Sequence, residues 1–225
     1  MLLTFVTRAC RRPEKLRRNI ASVKKQTSDD WEQLLLVDRA GEHGSEDPIV
    51  WANGQFQRYD DCIKGRYIYM LDDDCFLIST LFVEHVERWA REFDDPDVIL
   101  VKMRTYNLDQ TWRTHPEPPV WEVNWEAGEK PGRWVGNGLC VVTRADTWRE
   151  FIEYYRYAPG GDWHFITTMM NRPHIRFVRL NEVVAESPGR GCGVLFEKCN
   201  EDWFDEIASE FEPEHLRDDA WRLSA

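Results

Sequence analysis

The sequence predicts an α/β protein with a central mixed, mostly parallel sheet that is flanked by helices. Short apolar runs typical of buried strands alternate with segments whose apolar residues recur at helical spacing. This alternation is regular up to about residue 103, and it is typical of sheets that carry helices on both faces. A length of 225 residues suits one large domain, so we expect a single domain over 1–225.

Each predicted element rests on a local pattern. The predicted strands are short apolar runs, and they are 2–7, 33–37, 66–71, 98–103, 139–143 and 175–180. The predicted helices show apolar residues three or four positions apart, and they are 13–26, 54–64, 82–93, 145–155 and 162–171. Pro13 suits the first turn of its helix, Gly65 ends the second helix, and Ser79 or Thr80 caps the third.

Two stretches follow other patterns. Residues 104–133 are rich in proline, glycine and tryptophan with little periodicity, which predicts a long loop or an irregular hairpin. Long loops in compact domains are often functional. The segment from about residue 200 is acidic and has apolar residues at helical spacing, so we expect 200–225 to be an acidic helical tail.

Composition excludes several classes of protein. The chain has 40 acidic and 29 basic residues, a net charge of −11, which argues against nucleic acid as a partner. No apolar run approaches the ~20 residues of a membrane span, and the apolar start is too short for a signal peptide. Six scattered cysteines form no Cys-x-x-Cys pair, which favours free thiols in a reducing compartment. We therefore expect a cytoplasmic protein.

The strongest chemical signal is the run of three aspartates at 72–74, directly after a predicted buried strand. Ligands of open α/β sheets bind beyond the carboxyl ends of the strands. Three neighbouring carboxylates repel one another, and a bound cation removes that repulsion. Asp72 and Asp74 suit Mg²⁺ or Mn²⁺, which favour one or two carboxylates together with substrate phosphates. The alternative is an acidic turn that simply ends the strand.

Three segments together resemble a family 2 glycosyltransferase of the GT-A fold. They are Thr7-Arg8 after the first strand, the run 31–38 that ends in Asp38, and the run 65–74, Gly-Arg-Tyr-Ile-Tyr-Met-Leu-Asp-Asp-Asp. The resemblance covers about residues 2–80 and is weaker at 134–171. It implies a Rossmann-like nucleotide-diphospho-sugar transferase fold, with a nucleotide-binding half at 1–103 and an acceptor-side half at 104–199.

The same resemblance implies an activity. A hexosyltransferase of this kind moves a sugar from a nucleotide-diphosphate donor, with a UDP-sugar favoured, to an acceptor hydroxyl, and it inverts the anomeric carbon. The acceptor is a glycan, a lipid-linked molecule or a small molecule.

The basic run 8–25 would attract the donor phosphates or an anionic lipid surface, and the alternative is a solvated helix face.

Site residues follow position by position from the resemblance. The implied nucleotide contacts are Thr7, Arg8, Asp38, Asp72 and Asp73. Asp74 would be the main ligand of Mn²⁺ or Mg²⁺, and Asp72 would touch the ribose or the metal. The sequence after Asp38 departs from the family, because Arg39-Ala40-Gly41 stands in place of a second aspartate and a small polar loop.

The second half supplies a base candidate and a third metal ligand candidate. Gly160-Gly161-Asp162-Trp163-His164 resembles the Glu-Asp motif of the family, although Gly161 replaces the usual glutamate. Asp162 would take the proton of the acceptor hydroxyl, and the alternative is a helix N-cap. His164 is a candidate metal ligand, against an ordinary surface or core role.

The sugar-binding candidates lie in a tryptophan-rich stretch. Trp134, Gly136 and Asn137 stand where family members form a wall around donor sugar and acceptor. Four tryptophans are clustered along the chain, and they are Trp112, Trp121, Trp125 and Trp134. Indole faces suit stacking against a pyranose ring, and the alternative is core packing.

Two other functions compete with glycosyl transfer. A nucleotidylyltransferase also combines an α/β sheet with carboxylate-bound Mg²⁺, but residues 7–15 contain no glycine for its phosphate-binding loop. A non-catalytic sugar- or protein-binding module on the same scaffold is favoured by Gly161 and Arg39, the two departures from the family pattern.

Overall fold

The computed structural model describes residues 1–38, 48–106, 111–117, 120, 122–131, 134, 136, 138–156, 160–187 and 202–225. Its strands are β1 Leu3–Cys10, β2 Trp31–Asp38, β3 Tyr67–Met70, β4 Phe76–Leu77, β5 Val98–Tyr106, β6 Trp112–His115, β7 Val141–Arg144, β8 Phe177–Ser187, β9 Glu214–Arg217 and β10 Ala220–Ser224. Its α-helices are α1 Pro13–Val23, α2 Pro48–Arg58, α3 Phe82–Glu92, α4 Ala145–Phe151, α5 Gly161–Met170 and α6 Trp203–Phe211.

The strands form one ten-stranded sheet in the order β4-β8-β5-β7-β3-β1-β2-β10-β9, with β6 added to β5. Strand β1 is parallel to β2 and β3, and β5 is parallel to β8, while the other pairs are antiparallel. Followed across the sheet, β9, β2, β1, β3, β5 and β8 point the same way. The predicted mixed, mostly parallel sheet with flanking helices is confirmed.

The central strands are buried on both faces, and this fixes where a ligand can enter. Phe5 of β1 and Tyr69 of β3 pack on Phe82 of α3, with ring centroids 6.2 and 4.9 Å from that ring. The next residue of β3, Met70, points to the other face because side chains alternate along a strand. With both faces covered, polar groups can gather at the carboxyl ends of the parallel strands.

Strands β6 and β7 share one edge of β5. The other edge of β5 pairs with β8 from Val98 to Thr105, so β7 at Val98–Leu100 and β6 at Met103–Tyr106 must follow one another along the remaining edge. Val142 of β7 pairs with both Ile99 and Tyr69. Strand β6 therefore lies beyond the carboxyl end of β3, in the direction in which β3 and β5 run. The stretch 104–133, predicted as a long loop or an irregular hairpin, thus begins with this antiparallel pair and also contains a 3-10 turn at Trp125–Ala127.

The acidic tail is helical only in its first part. Helix α6 agrees with the prediction, but the chain then forms an antiparallel hairpin, β9–β10, and β10 pairs with β2. Glu212 ends the helix with a left-handed φ of 51°, and Pro213 cannot continue it. The hairpin covers the edge of β2, which would otherwise be unpaired.

The described residues bear on two expectations, that the cysteines are free thiols and that no segment spans a membrane. Cys10, Cys62, Cys75 and Cys140 are free thiols. Within the described ranges, none of the helices has the length and apolar character that crossing a membrane requires.

Candidate active site

Two arginines hold the three aspartates at the carboxyl end of β3. Arg8 donates from Nε and Nη2 to the two carboxylate oxygens of Asp72, at 2.8 and 2.7 Å. Arg12 donates from Nε to Asp73 at 3.1 Å and from Nη1 to Asp74 at 3.0 Å. These ion pairs explain how the fold tolerates three adjacent carboxylates. We refer to the five residues as the arginine–aspartate cluster.

Arg8 is also fixed by its other neighbours. Its guanidinium carbon lies 5.0 Å from the ring centroid of Phe56, and its Nη1 donates to Oδ1 of Asn53. Burial alone would lower the pKa of Arg8 and raise that of Asp72, but the ion pair between them reverses both shifts. The Arg8–Asp72 pair therefore stays fully charged, with the guanidinium held in one position.

Asp73 is an internal anchor, which corrects the prediction of a nucleotide contact. Its side chain is fully buried, and Oδ2 accepts a hydrogen bond from the Cys10 amide at 2.9 Å. Burial raises the pKa of Asp73 to about 7, although the charge of Arg12 and the Cys10 amide act in the opposite direction. The residue ties the end of β1 to the end of β3.

Asp162 lies in the same site, in the first turn of α5. Its Oδ2 accepts a hydrogen bond from the Gly138 amide at 3.1 Å, and its Oδ1 accepts one from the Trp163 amide at 2.9 Å. Burial raises the pKa of Asp162, and the two amides and the nearby charge of Arg8 oppose that rise. The structure thus brings Arg8, Asp72 and Asp162 together, as the sequence predicts.

The absence of a side chain at Gly138 allows its amide to reach Asp162 in a closely packed region. A Cβ at Gly138 would collide with the side-chain ends of Met70 and Tyr155. The glycine lets the backbone come close enough for its amide to reach the carboxylate. Helix α5 begins just after Gly160, whose φ of 92° is a left-handed conformation that favours glycine.

Thr7 and Asp38 are both buried. The Thr7 hydroxyl donates to the Leu71 carbonyl at 2.8 Å and accepts from Gln33 at 2.9 Å, so it joins strands in place of the predicted nucleotide contact. Asp38 ends β2 and accepts a hydrogen bond from the Cys10 thiol at 3.3 Å. Burial and the charge of Asp38 raise the pKa of Cys10 to about 12. The base contact of Asp38 stays a prediction.

The predicted sugar wall is only partly described. Trp134 is 2% exposed, so its indole belongs to the core and the predicted sugar contact is wrong for it. A Cβ at Gly136 would lie 2.8 Å from that indole and 3.0 Å from Pro116, so this glycine allows tight packing around the ring. Asn137 lies outside the described residues.

The clustered tryptophans divide into two classes. Trp125 is 2% exposed and donates from Nε1 to the Val120 carbonyl at 2.8 Å, so it joins Trp134 in the core. Trp112 is 45% exposed. Trp121 lies outside the described residues.

The described side chains do not supply a complete set of ligands for a divalent cation. In the part of the chain that the structure describes, no three side chains of His, Cys, Asp or Glu gather to hold a metal. The predicted trio of Asp72, Asp74 and His164 is therefore not formed; the His164 ring instead packs edge-on against Trp163, at 5.0 Å and 83°. The carboxylate chemistry of Asp74 still fits Mg²⁺ or Mn²⁺ if the donor phosphates complete the shell.

Several site residues were missed by the sequence interpretation. Arg12 belongs to the basic run 8–25, so its role in holding carboxylates had a signal. Gly138 belongs to the stretch 134–138 that the resemblance marks as a wall around the substrates, where glycines would allow close backbone approach. Asn53 and Tyr155 had no signal, because they come from segments with no motif and meet the site only through packing.

Comparison with known proteins supports the fold. No protein-family model matches the chain, and no curated protein matches it either. The crystal structure of the 1–349 fragment of S. aureus TarS in complex with UDP-GlcNAc matches with a TM-score of 0.61 and 15% identity, over 96% of this chain and 68% of that one. The UDP complex of the same fragment gives 0.60 and 14%, over 94% and 71%.

A longer TarS structure shows the limit of the match. It gives a TM-score of 0.55 and 15% identity, over 94% of this chain but 43% of TarS. TarS is a glycosyltransferase, and at this identity the likeness shows a shared GT-A-like fold. Membership of family 2 stays a prediction.

Proposed function

We propose that the chain is a glycosyltransferase that moves a sugar from a nucleotide-diphosphate donor, preferably a UDP-sugar, to an acceptor hydroxyl. The observation that carries the proposal is the position of Asp162, held by the Gly138 amide beside the Arg8–Asp72 pair at the carboxyl rim of the sheet. UDP is favoured because TarS, which shares the fold, has been solved with UDP-GlcNAc and with UDP.

The reaction we propose is a single displacement. The acceptor oxygen forms a bond to the anomeric carbon, and the bond from that carbon to the donor phosphate breaks. The oxygen loses its proton to Asp162, and the nucleoside diphosphate leaves with the bonding electrons. Attack from the face opposite the leaving group inverts the anomeric carbon, through a transition state that resembles an oxocarbenium ion. Inversion and family 2 membership are parts of this proposal.

The surroundings of Asp162 suit a general base. Its raised pKa strengthens it as a proton acceptor compared with an exposed aspartate. The amides of Gly138 and Trp163 fix the direction of the carboxylate. Because these two bonds stabilise the charged form, the carboxylate can still be ionised before the reaction begins.

Positive charge for the leaving group would come mainly from a bound cation. Arg8 and Arg12 reach the rim from the end of β1, but their guanidinium donors already hold the three aspartates. Mn²⁺ or Mg²⁺ at Asp74 would add positive charge that stabilises the departing diphosphate.

Hydrolysis of the donor in the absence of acceptor tests the proposal. With UDP-GlcNAc and Mn²⁺ we expect slow release of UDP by the wild type, and a loss of about 10²–10⁴-fold in Asp162→Asn. Asn keeps the size of the side chain, so UDP binding should remain. Anomer analysis of the released sugar by NMR reports inversion.

The outcomes separate the competing functions. UDP release at the same rate in both proteins would remove Asp162 as the base. UDP-sugar binding without release in the wild type would favour a non-catalytic binding module, and pyrophosphate release from a nucleoside triphosphate would favour a nucleotidylyltransferase.

A further inference from the structure

An exposed aromatic surface lies on the ribbon formed by β5 and β6. Trp112 is 45% exposed although the guanidinium of Arg104 lies over its ring, with the guanidinium carbon 4.9 Å from the centroid. The ring of Tyr106 lies 5.2 Å from that of Trp112, tilted by 57°. Tyr106 and Trp112 are direct cross-strand partners. Arg104, two residues before Tyr106, shares their face of the ribbon.

A buried carboxylate neutralises the positive charge of this surface. Arg104 is tied to Glu186 of β8 by its Nε and Nη2 groups, and Glu186 is buried. The ion pair holds the guanidinium against the indole and cancels its charge. The surface therefore offers aromatic faces and N–H donors to a ligand without a net charge. An uncharged sugar ring, with an apolar face of C–H groups and a rim of hydroxyls, matches this combination.

The surface lies on the same rim as the candidate active site. Strand β6 runs along the edge of β5 that β7 also uses, beyond the carboxyl end of β3. Pro116, just after β6, lies next to Gly136, and Gly138 donates its amide to Asp162. Two short segments thus link the exposed indole to the predicted base.

We propose that Arg104, Tyr106 and Trp112 form a binding platform for a pyranose ring of the acceptor, which makes the acceptor a carbohydrate. The acceptor assignment rests on the proposed function; the binding of a sugar ring to the platform does not. The other described members of the tryptophan cluster, Trp125 and Trp134, are buried, so Trp112 is the member that can contact a ligand.

Saturation-transfer NMR tests the platform on the whole chain. The probes are a fixed panel of methyl pyranosides and their β-linked disaccharides, measured in the presence of UDP. We expect wild-type contacts on the C–H face of at least one sugar. Trp112→Ala should lower the affinity for that sugar by about tenfold, and Trp112→Phe should recover part of the affinity. Leu81→Ala, which removes another side chain that is 47% exposed, is the control and should bind like the wild type.

The outcomes keep this inference distinct from the proposed function. Equal binding by the wild type and Trp112→Ala, or no binding of any sugar in the panel by the wild type, would overturn the platform. The assay measures sugar binding and no turnover, so its outcome does not depend on whether the chain hydrolyses UDP-GlcNAc.

Discussion

Asp73 shows how one buried carboxylate can make the stability of this protein depend on pH. Its pKa in the folded protein is about 7, while an unfolded aspartate has its ordinary value of 3.8. Between these values the folded state binds more protons than the unfolded state. The free energy of unfolding must therefore fall as the pH rises through this window, and it levels off above it.

The substitution Asp73→Asn should remove this part of the pH dependence. An amide cannot ionise, and its oxygen can still accept the hydrogen bond from the Cys10 amide. Urea unfolding at pH 5 and pH 8, with EDTA present, measures the effect. Asp146→Asn is the matched control, because the Asp146 side chain is 85% exposed. If Asp73→Asn and the wild type lose equal stability between the two pH values, the carboxylate is already ionised at pH 5.

At the level of elements, the C-terminal hairpin contributes a buried ion pair to the sheet. Nε of Arg222 in β10 lies 2.8 Å from Oε2 of Glu32 in an ion pair, and the two side chains are 8% and 0% exposed. Glu32 also accepts hydrogen bonds from the Thr4 hydroxyl and the Lys64 amide. The pair joins β10 to β2.

Arg222→Ala should destabilise the protein by about 3–5 kcal/mol, because it leaves the buried Glu32 carboxylate without its ion-pair partner. The double variant Arg222→Met with Glu32→Gln should recover much of that loss, since no unpaired charge remains. Midpoints of urea unfolding measure both. Arg217→Ala, on the exposed side of the same hairpin, should change the midpoint little. A single variant as stable as wild type would show that water reaches Glu32.

The elements that the sequence predicts well are the ones with long apolar patterns. Strands β1, β2 and β5 lie close to their predicted ranges because burial of both faces requires a continuous apolar run. Helices α1 and α3 do so because burial of one face requires apolar residues at helical spacing. The sequence predicts the second helix at 54–64, whereas α2 is Pro48–Arg58. Pro48 at its first position was the missed signal. The hairpin β9–β10 escaped prediction because its strands are short and charged, and only the edge of β2 gives them a partner.

The whole molecule decides which predicted site residues can meet a ligand. Arg8 and Asp72 come together because topology brings the carboxyl ends of β1 and β3 to one rim, and Asp162 reaches the same rim from the first turn of α5. Thr7, Asp73 and Trp134 were predicted as contacts but are buried. Their burial depends on neighbours that are distant in sequence. Examples are Leu71, which bonds Thr7, and Pro116, which lies against Gly136 next to Trp134. No local sequence pattern predicts such neighbours.

Overall charge gives a further prediction, for cation binding. In a chain with a net charge of −11, a diphosphate needs local positive charge, and Arg12 is already shared between Asp73 and Asp74. We expect Mn²⁺ to tighten UDP binding to the wild type by about tenfold or more, and Asp74→Asn to abolish that gain. Calorimetry with and without Mn²⁺ measures it.

Asp61→Asn, at a side chain that is 65% exposed, is the control for the cation experiment. Wild-type binding of UDP that is the same with and without Mn²⁺ would contradict the cation part of the proposal. The role of Asp162 would be unaffected by that result.

The shared use of one edge of β5 by β6 and β7 has a consequence for how related proteins can diverge. The chain leaves the sheet after β6 and re-enters it at β7 along the same line, so the intervening stretch can grow or shrink without disturbing the pairing of β1, β2 and β3. New lengths there would alter which second substrate fits while the donor side stays as it is. Under the proposed function, such changes keep the site intact only where Gly138 still holds Asp162 and the buried Trp125 and Trp134 keep their places.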